Sequence, residues 1–587
     1  MDLDYYFMLK ENKSKFTVAG IVLVPVFLYL ASIWRRPFFA PLEYNGAAVA
    51  DALCNFMTNG TSLLVPKVAD ATLLDYPVFS YYLSAFFQSV LGKSTGSIRL
   101  AFVIVVLLTA WGLWKGLKGL VAKETSLVAS CLFISMLMPF FTATFANSGA
   151  WGGFFTLCGA IFLAKGSKDK VSKKSYSCYF FISGLFSSLG LLFYGLEIPV
   201  ILFLGGIIGF LLLKDVKKLF YFLLFYILGF LPLTLSFILM LNTYEPAYLQ
   251  LLLAKYQQIS LDSSILDKLG LFLLGTLPPG LFIVLIIKGY SNKVKEFFLN
   301  PAILMLSSLT VVAFIVGLFS NIQTPFGLSF VYPLVAIFMA QGLVYFSSSS
   351  ANMAYCNRII KKMMIFVALL ILAFFIYHVL GIFFNVIPQS KLIFARGEAY
   401  YLPILVSLIF LFWLYFAYTE EKYVTKFGCI VLGCFCLFSM AHSFIPLKVV
   451  IKSAPIRFLE KSLESNLEPG NLILADSNLL GAVYWHLPKY TVKFIECNTS
   501  KSLVGNKKLS LNTLEDNIKN STVPVWLLSK KGDDLLKKSS SVTEVIALHN
   551  KVFSAKLLVK KSARKKAIGV KRIRSKKIER KFDIIKK

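Results

Sequence analysis

From residue 16 to residue 445 the chain repeats one pattern, an apolar stretch of membrane-spanning length followed by a short polar connection. A spanning helix needs about 20 mostly apolar residues, with shorter runs tolerated, and it satisfies its backbone N–H and C=O groups internally, as hydrocarbon demands. Thirteen stretches qualify, at 16–34, 100–114, 127–145, 151–164, 179–194, 198–213, 219–241, 269–287, 302–319, 328–346, 363–384, 401–418 and 427–445. The expected architecture over residues 1–446 is a polytopic α-helical membrane module of about 13 transmembrane helices. With 57% hydrophobic and only 16% charged residues among 587, a soluble multidomain protein is excluded.

Lysine and arginine in short connections set orientation. They fall in every second connection, as with Lys115, Lys118 and Lys123, then Lys165, Lys168, Lys173 and Lys174, then Lys214, Lys217 and Lys218. Interleaved connections such as 146–150 and 320–327 carry none. The N-terminus is therefore expected in the cytoplasm, and an odd number of spans places everything after Ile445 outside. No small-residue cleavage pattern follows the first stretch, which reads as an anchor.

Beyond residue 446 the composition changes. Apolar runs shorten to strand length at 471–474, 492–495, 523–528 and 555–559, between turn signals such as Glu468-Pro469-Gly470 and Gly532-Asp533-Asp534. An extracytoplasmic soluble α/β domain is expected over 447–559, followed by a basic tail. Residues 560–587 hold fourteen Lys and Arg against Glu579 and Asp583, a large share of the net charge of +31. Such a block repels itself and reads as a solvated segment, with anionic membrane lipids as an alternative partner. Nucleic acid is not an expected partner, because the topology puts the tail on the wrong side of the membrane.

The longest connection before the C-terminal region, residues 35–99, mixes prolines, acids and aromatics in segments too apolar for an ordinary loop. It reads as a binding surface at the membrane face with juxtamembrane helices. The nine cysteines show no metal-ligand spacing, and no zinc, P-loop, dinucleotide or Ser-His-Asp pattern occurs. Charged groups at a membrane face or cavity are functional candidates by default. On the outer side these include the acids Glu43, Asp51, Asp75 and Glu197 and the bases Arg35, Arg36, Lys67, Arg99 and Lys268.

The sequence Arg36-Pro37-Phe38-Phe39-Ala40-Pro41-Leu42-Glu43 resembles the R-P-x-x-x-P-D-E signature after the first helix of GT-C membrane glycosyltransferases. The group most similar is the bacterial lipid A aminoarabinose transferases (ArnT-like) with their protein O-mannosyltransferase relatives. Val65-Pro66, Leu74-Asp75-Tyr76-Pro77 and Tyr81-Tyr82-Leu83 resemble that group's V-P…L-E-K-P-P-x-x-Y-W-L, and Gly92-Lys93-Ser94 with Ile98-Arg99-Leu100 its F-G-x-S…R-L. Residues 320–333 resemble an S-x-x-K-x-P-x-Y-x-L-P loop, and Pro524-Val525-Trp526-Leu527-Leu528 is similar to part of the family's outer domain.

The resemblance implies transfer of a sugar from a polyprenyl-phosphate carrier to a glycolipid or protein acceptor, lipid A-like or otherwise, on the outer face of the bacterial inner membrane. It implies Glu43 and Asp75 as catalytic acids, and Arg35, Arg36 and Lys67 as cations for the carrier phosphate. A divalent metal ion on Glu43 and Asp75 is an alternative holder of that phosphate. The sequence departs from the family at five charged positions. Leu42 replaces an aspartate, Tyr76, Tyr194 and Gln323 replace lysines, and the acid of the fourth span falls near Gly149. Tyr194, Gln323 and the nearby Glu197 are therefore further candidates. The plainer readings are that Glu43 pairs with Arg36 to hold the loop, that Asp75 caps a helix near Pro77, and that Arg35 and Arg36 snorkel. Two other functions stay open, a catalytically inactive GT-C paralogue that binds lipid or scaffolds a partner, and a lipid or solute transporter.

Overall fold

The computed structural model describes residues 41–55, 78–246 except 170, 265–292 except 278, 300–319 and 328–347, together with the strands named below and scattered further residues such as Tyr29. The chain forms two compact units, one of Met1–Arg36, Tyr82–Leu249 and Tyr256–Pro446, the other of Pro37–Tyr81, Gln250–Lys255 and Leu447–Lys587.

The first unit is helical. After α2 (Phe79–Leu91), which starts within the second unit, come α3 (Thr95–Gly116), α4 (Lys123–Ser135), α5 (Leu137–Thr144), α6 (Gly149–Ser167) and α7 (Lys173–Phe193). Then follow α8 (Glu197–Leu212), α9 (Val216–Tyr244), α10 (Ile265–Gly275), α11 (Ile283–Asn292), α12 (Pro301–Phe319) and α13 (Tyr332–Ser347). Among the described residues five helices are long and apolar enough to cross a membrane, or six if the bent pair α4 and α5 is one span. The described residues of the stretch expected at 363–384 are helical, whereas 427–445, most of 401–418 and most of 16–34 lie outside the described residues, as does the tail beyond Lys560.

Helix α3 begins five residues before the apolar stretch that announces it. Ser94 and Ser97 form a reciprocal capping box, Ser97 N–H donating to Ser94 Oγ (3.0 Å) and Ser94 N–H to Ser97 Oγ (3.2 Å). Two amides that would otherwise be orphaned at the helix start are thereby satisfied.

Two stretches expected as single helices are broken. The run 127–145 bends by 55° between α4 and α5. Pro139 has no N–H for the Ser135 carbonyl and its ring crowds that oxygen, which favours a break at this point. The carbonyls freed at the end of α4 are reclaimed locally and from afar. Ser135 Oγ donates to Cys131 O (2.8 Å) and Leu132 O (2.9 Å), Met136 N–H to Phe133 O (3.2 Å), and Tyr29 Oη to Ile134 O (3.2 Å). The run 269–287 breaks at Pro278-Pro279, where α10 gives way to the 3-10 turn Pro279–Phe282 before α11. The breaks are tied together, since Leu137 N–H donates to Leu277 O (2.9 Å). Irregular backbone in a membrane protein persists where protein satisfies it. Tyr29 is fully buried, so Tyr29→Phe strands the Ile134 carbonyl and is expected to lower stability by about 1–3 kcal/mol, measured as the unfolding midpoint in detergent.

Small residues set the close pairing of α7 and α9. A Cβ on Gly184 of α7 would collide with the Tyr226 carbonyl of α9, and one on Gly229 of α9 with the Phe181 carbonyl of α7. Ser187 and Tyr226 hydroxyls (2.6 Å) and Ser188 and Thr234 hydroxyls (2.7 Å) then bridge the same two helices. The lysine-rich turns gather at one end. Lys218 donates to Ser167 O and Lys168 O (3.2 Å each) and pairs with Asp215 (3.2 Å), Lys168 donates to Gly119 O, and Lys115 lies over the Trp114 ring (4.1 Å).

The second unit holds α1 (Pro41–Cys54) and two sheets. In one, β1 (Lys67–Val68), β2 (Ala71–Leu73) and β5 (Val504–Gly505) pair antiparallel in the order β1-β2-β5. The other contains β3 (Leu472–Asp476), β4 (Thr491–Ile495), β6 (Val525–Lys530), β7 (Val542–His549) and β8 (Phe553–Lys560), in the order β4-β3-β6-β8-β7. Strand β3 runs parallel to β4 and β6, and β8 is antiparallel to β6 and β7. Strand β7 escapes the sequence reading because Glu544 interrupts its apolar alternation at a bulge between Glu544 and Ile546. The helices that an α/β domain over 447–559 requires lie almost wholly outside the described residues.

Candidate functional site

In the second unit the site is built on α1. Pro41 opens the helix, where its missing N–H costs nothing, and Glu43 stands in the first turn, where a carboxylate complements the positive helix end. The rest of the helix is mostly small, with Gly46, Ala47, Ala48, Ala50 and Ala52, and is buried together with its two acids. Glu43 is 2% exposed and Asp51 5%. Each lies near a phenol. Tyr81, at the start of α2, sits on Gly46 so closely that a Cβ there would stand 2.5 Å from Tyr81 Oη. Burial, and after it the Glu43 carboxylate, push the Tyr81 phenol well up from its ordinary range. Burial and then Asp51 likewise push Tyr484 up to about 12. Asn55 Nδ2 donates to Asp51 O (2.9 Å) and reaches Asp51 Oδ1 (3.4 Å). One helix therefore carries two acid–phenol pairs, eight residues or roughly 12 Å apart along its axis.

Of these groups the sequence reading singles out Glu43. It passes over Asp51 as one outer acid among several, gives Tyr81 only as part of a motif, and does not notice Tyr484. The available signal was the run of small residues between the acids, which lets neighbours close over a helix. Lys67 lies in β1 opposite Thr72. Arg35, Arg36, Asp75 and Gln323 fall outside the described residues.

In the first unit a second cluster forms at the end of the helices away from the lysine-rich turns. Asn147 closes the turn into α6 by accepting from Gly149 N–H (2.8 Å). A Cβ on Gly149 would collide with the Ser329 side chain, and would stand 3.0 Å from Asn147 Oδ1. One turn on, a Cβ on Gly152 would stand 2.8 Å from the Tyr194 ring, which also meets Phe330 edge-on at 5.5 Å. Gly195, at φ 152°, turns the chain from Tyr194 into α8, whose first residue is the half-buried Glu197.

Tyr194, Glu197 and the Gly149 position are thus drawn to one place, and the resemblance expects a lysine at 194 and an acid at 149. Here a buried ring and a glycine seat occupy them, so neither charge stands where the other would need it. The buried cations of this unit lie elsewhere. Arg99 on α3 has no exposed surface, and Lys268 on α10, 7% exposed, donates to Leu318 O (2.9 Å). Among the described residues no three His, Cys, Asp or Glu side chains gather, so a divalent ion would rest on Glu43 with Asp75, which lies outside them.

No protein-family model and no curated protein sequence matches the chain. Solved structures do. The crystal structure of ArnT from Cupriavidus metallidurans bound to undecaprenyl phosphate superposes with a TM-score of 0.70 at 14% identity, covering 92% of this chain and 97% of that one. The apo structure of the same protein gives a TM-score of 0.69 at 14% identity, over 92% and 98%. An oligosaccharyltransferase from Archaeoglobus fulgidus matches at 0.45 and 11% identity over 87% and 69%, too loose to carry an argument. The fold is ArnT-like and of the GT-C type, and with its apolar helices it marks a membrane protein.

Proposed function

We propose that this chain is a membrane glycosyltransferase that takes a sugar from a polyprenyl-phosphate carrier and passes it to a lipid A-like or other envelope acceptor on the outer face of the bacterial inner membrane. The observation that carries the reading is the ArnT-like fold along 92% of the chain with an acid, Glu43, buried on the helix after the first span. In this reading an acceptor oxygen attacks the anomeric carbon, the bond from that carbon to the carrier phosphate breaks, and polyprenyl phosphate leaves with the bonding electrons. A hydroxyl acceptor gives its proton to Glu43, while a phosphate acceptor, already largely ionised near neutral pH, needs little help from a base. Arg35, Arg36 and Lys67 are the proposed holders of the leaving phosphate, whose charge grows as the bond breaks.

Reconstituted protein supplied with a radiolabelled polyprenyl-phosphate sugar and envelope lipids is expected to release sugar-free carrier and label a lipid; binding of carrier with no turnover across donors and acceptors overturns it. That outcome is the second reading, an inactive paralogue. It is favoured by the uncharged filling of the 149 and 194 positions by Gly149, Ser329 and Tyr194.

A further inference from the structure

Ser329 opens the 3-10 turn Ser329–Val331 that leads into α13, and it is 6% exposed. Its hydroxyl has no hydrogen-bond partner among the described residues. Leaving a buried hydroxyl without a partner is costly, so a fold that retains one needs a reason. Its placement is specific. It rests against Gly149, the first residue of the 19-residue helix α6, beside Asn147 Oδ1, at the end of the helices where Tyr194 covers Gly152. The neighbouring amides are engaged, Gly149 N–H by Asn147 Oδ1 and Gly152 N–H by Ser148 O (3.1 Å), which leaves no cradle of free N–H groups for an anion. A neutral hydroxyl that can both donate and accept suits another hydroxyl. The aromatic wall of Tyr194 and Phe330 alongside suits the apolar face of a sugar ring.

We propose that Ser329 hydrogen-bonds a hydroxyl of the carrier-borne sugar, in a subsite walled by Gly149, Asn147 and Tyr194. This rests on the glycosyltransferase reading above. Gly149 is part of the device, because any larger residue would push Ser329 away from the turn.

The full-length chain in lipid nanodiscs, wild type and Ser329→Ala, is titrated with undecaprenyl phosphate and with the same lipid bearing a linked hexose, and the unfolding midpoints are recorded. Wild type is expected to hold the hexose form more tightly. Ser329→Ala is expected to lose about tenfold in affinity for that form, the measure of one hydrogen bond, while binding the bare carrier unchanged and unfolding at the same or a higher temperature. Gly149→Ala is expected to repeat the selective loss. A Ser329→Ala protein that keeps the preference, or that loses stability and weakens for both lipids alike, overturns the subsite. Wild type that binds bare carrier with no preference for the hexose form also overturns it and leaves the carrier reading standing. Wild type that binds neither lipid overturns the glycosyltransferase reading and the subsite with it.

Discussion

Glu43→Gln is expected to lower sugar transfer to a hydroxyl acceptor by about a hundred- to ten-thousand-fold in membranes supplied with a polyprenyl-phosphate donor, with the protein still folded. Glutamine keeps the volume and one carbonyl oxygen of the acid but can neither carry its charge nor take a proton. Glu43 is 2% exposed and lies close to Tyr81, which itself covers Gly46, so an isosteric change leaves the packing intact. Asp51→Asn on the same helix is the matched comparison, similarly buried and likewise acting electrostatically on a phenol, and it is expected to act more weakly because it stands roughly 12 Å further along. The measurement is transfer rate alongside unfolding midpoint. Glu43→Gln with full activity removes Glu43 from the chemistry, and a collapse in midpoint reassigns it to holding α1 in place.

The largest expected effect on stability belongs to the pairing of α7 and α9. Gly184→Leu and Gly229→Leu each put a branched side chain where the neighbouring backbone already stands, against the Tyr226 and Phe181 carbonyls respectively. Backbone cannot swing aside as a side chain can, so the helices must part, losing the contact and the two hydroxyl bridges Ser187–Tyr226 and Ser188–Thr234. A loss of at least about 4 kcal/mol is expected, seen as a greatly lowered midpoint or failure to accumulate in the membrane. Gly270 on α10 gives the contrast, since a Cβ there meets nothing within 4 Å. Gly270→Ala is expected to be neutral or to stabilise by about 0.5–1 kcal/mol. Equal effects at all three positions would show that helix propensity, not close approach, governs these glycines.

Within the site, legibility followed how local the signal was. Glu43 was readable because it lies inside a short motif with Arg36, Pro37 and Pro41. Tyr194 and Gly149 could be flagged as departures one at a time, yet nothing in the sequence says that their neighbours touch. That needs the packing of Gly152 on Tyr194 and of Ser329 on Gly149, which brings the ends of three helices together. Asp51 and Tyr484 meet across more than four hundred residues of chain, beyond the reach of any periodicity.

The sequence by itself determined that this is a chain of membrane helices with lysines gathered in every second turn. Both are one-dimensional properties. Hydrocarbon requires each spanning segment to satisfy its own backbone, and each connection is charged or not by its own residues. The breaks near Pro139 and Pro279 were not part of it, since the stretches around them read as continuous spans. Only the tertiary structure decided what those breaks are for each other, with Leu137 N–H on Leu277 O and Tyr29 Oη on Ile134 O, 105 residues away. It likewise decided which acids are buried, which glycines bear a neighbour's backbone, and that the Ser329 hydroxyl is held out of water with no partner among the described residues. The reason is that burial and satisfaction depend on what arrives from elsewhere in the chain, whereas helix formation in a membrane depends on the segment alone.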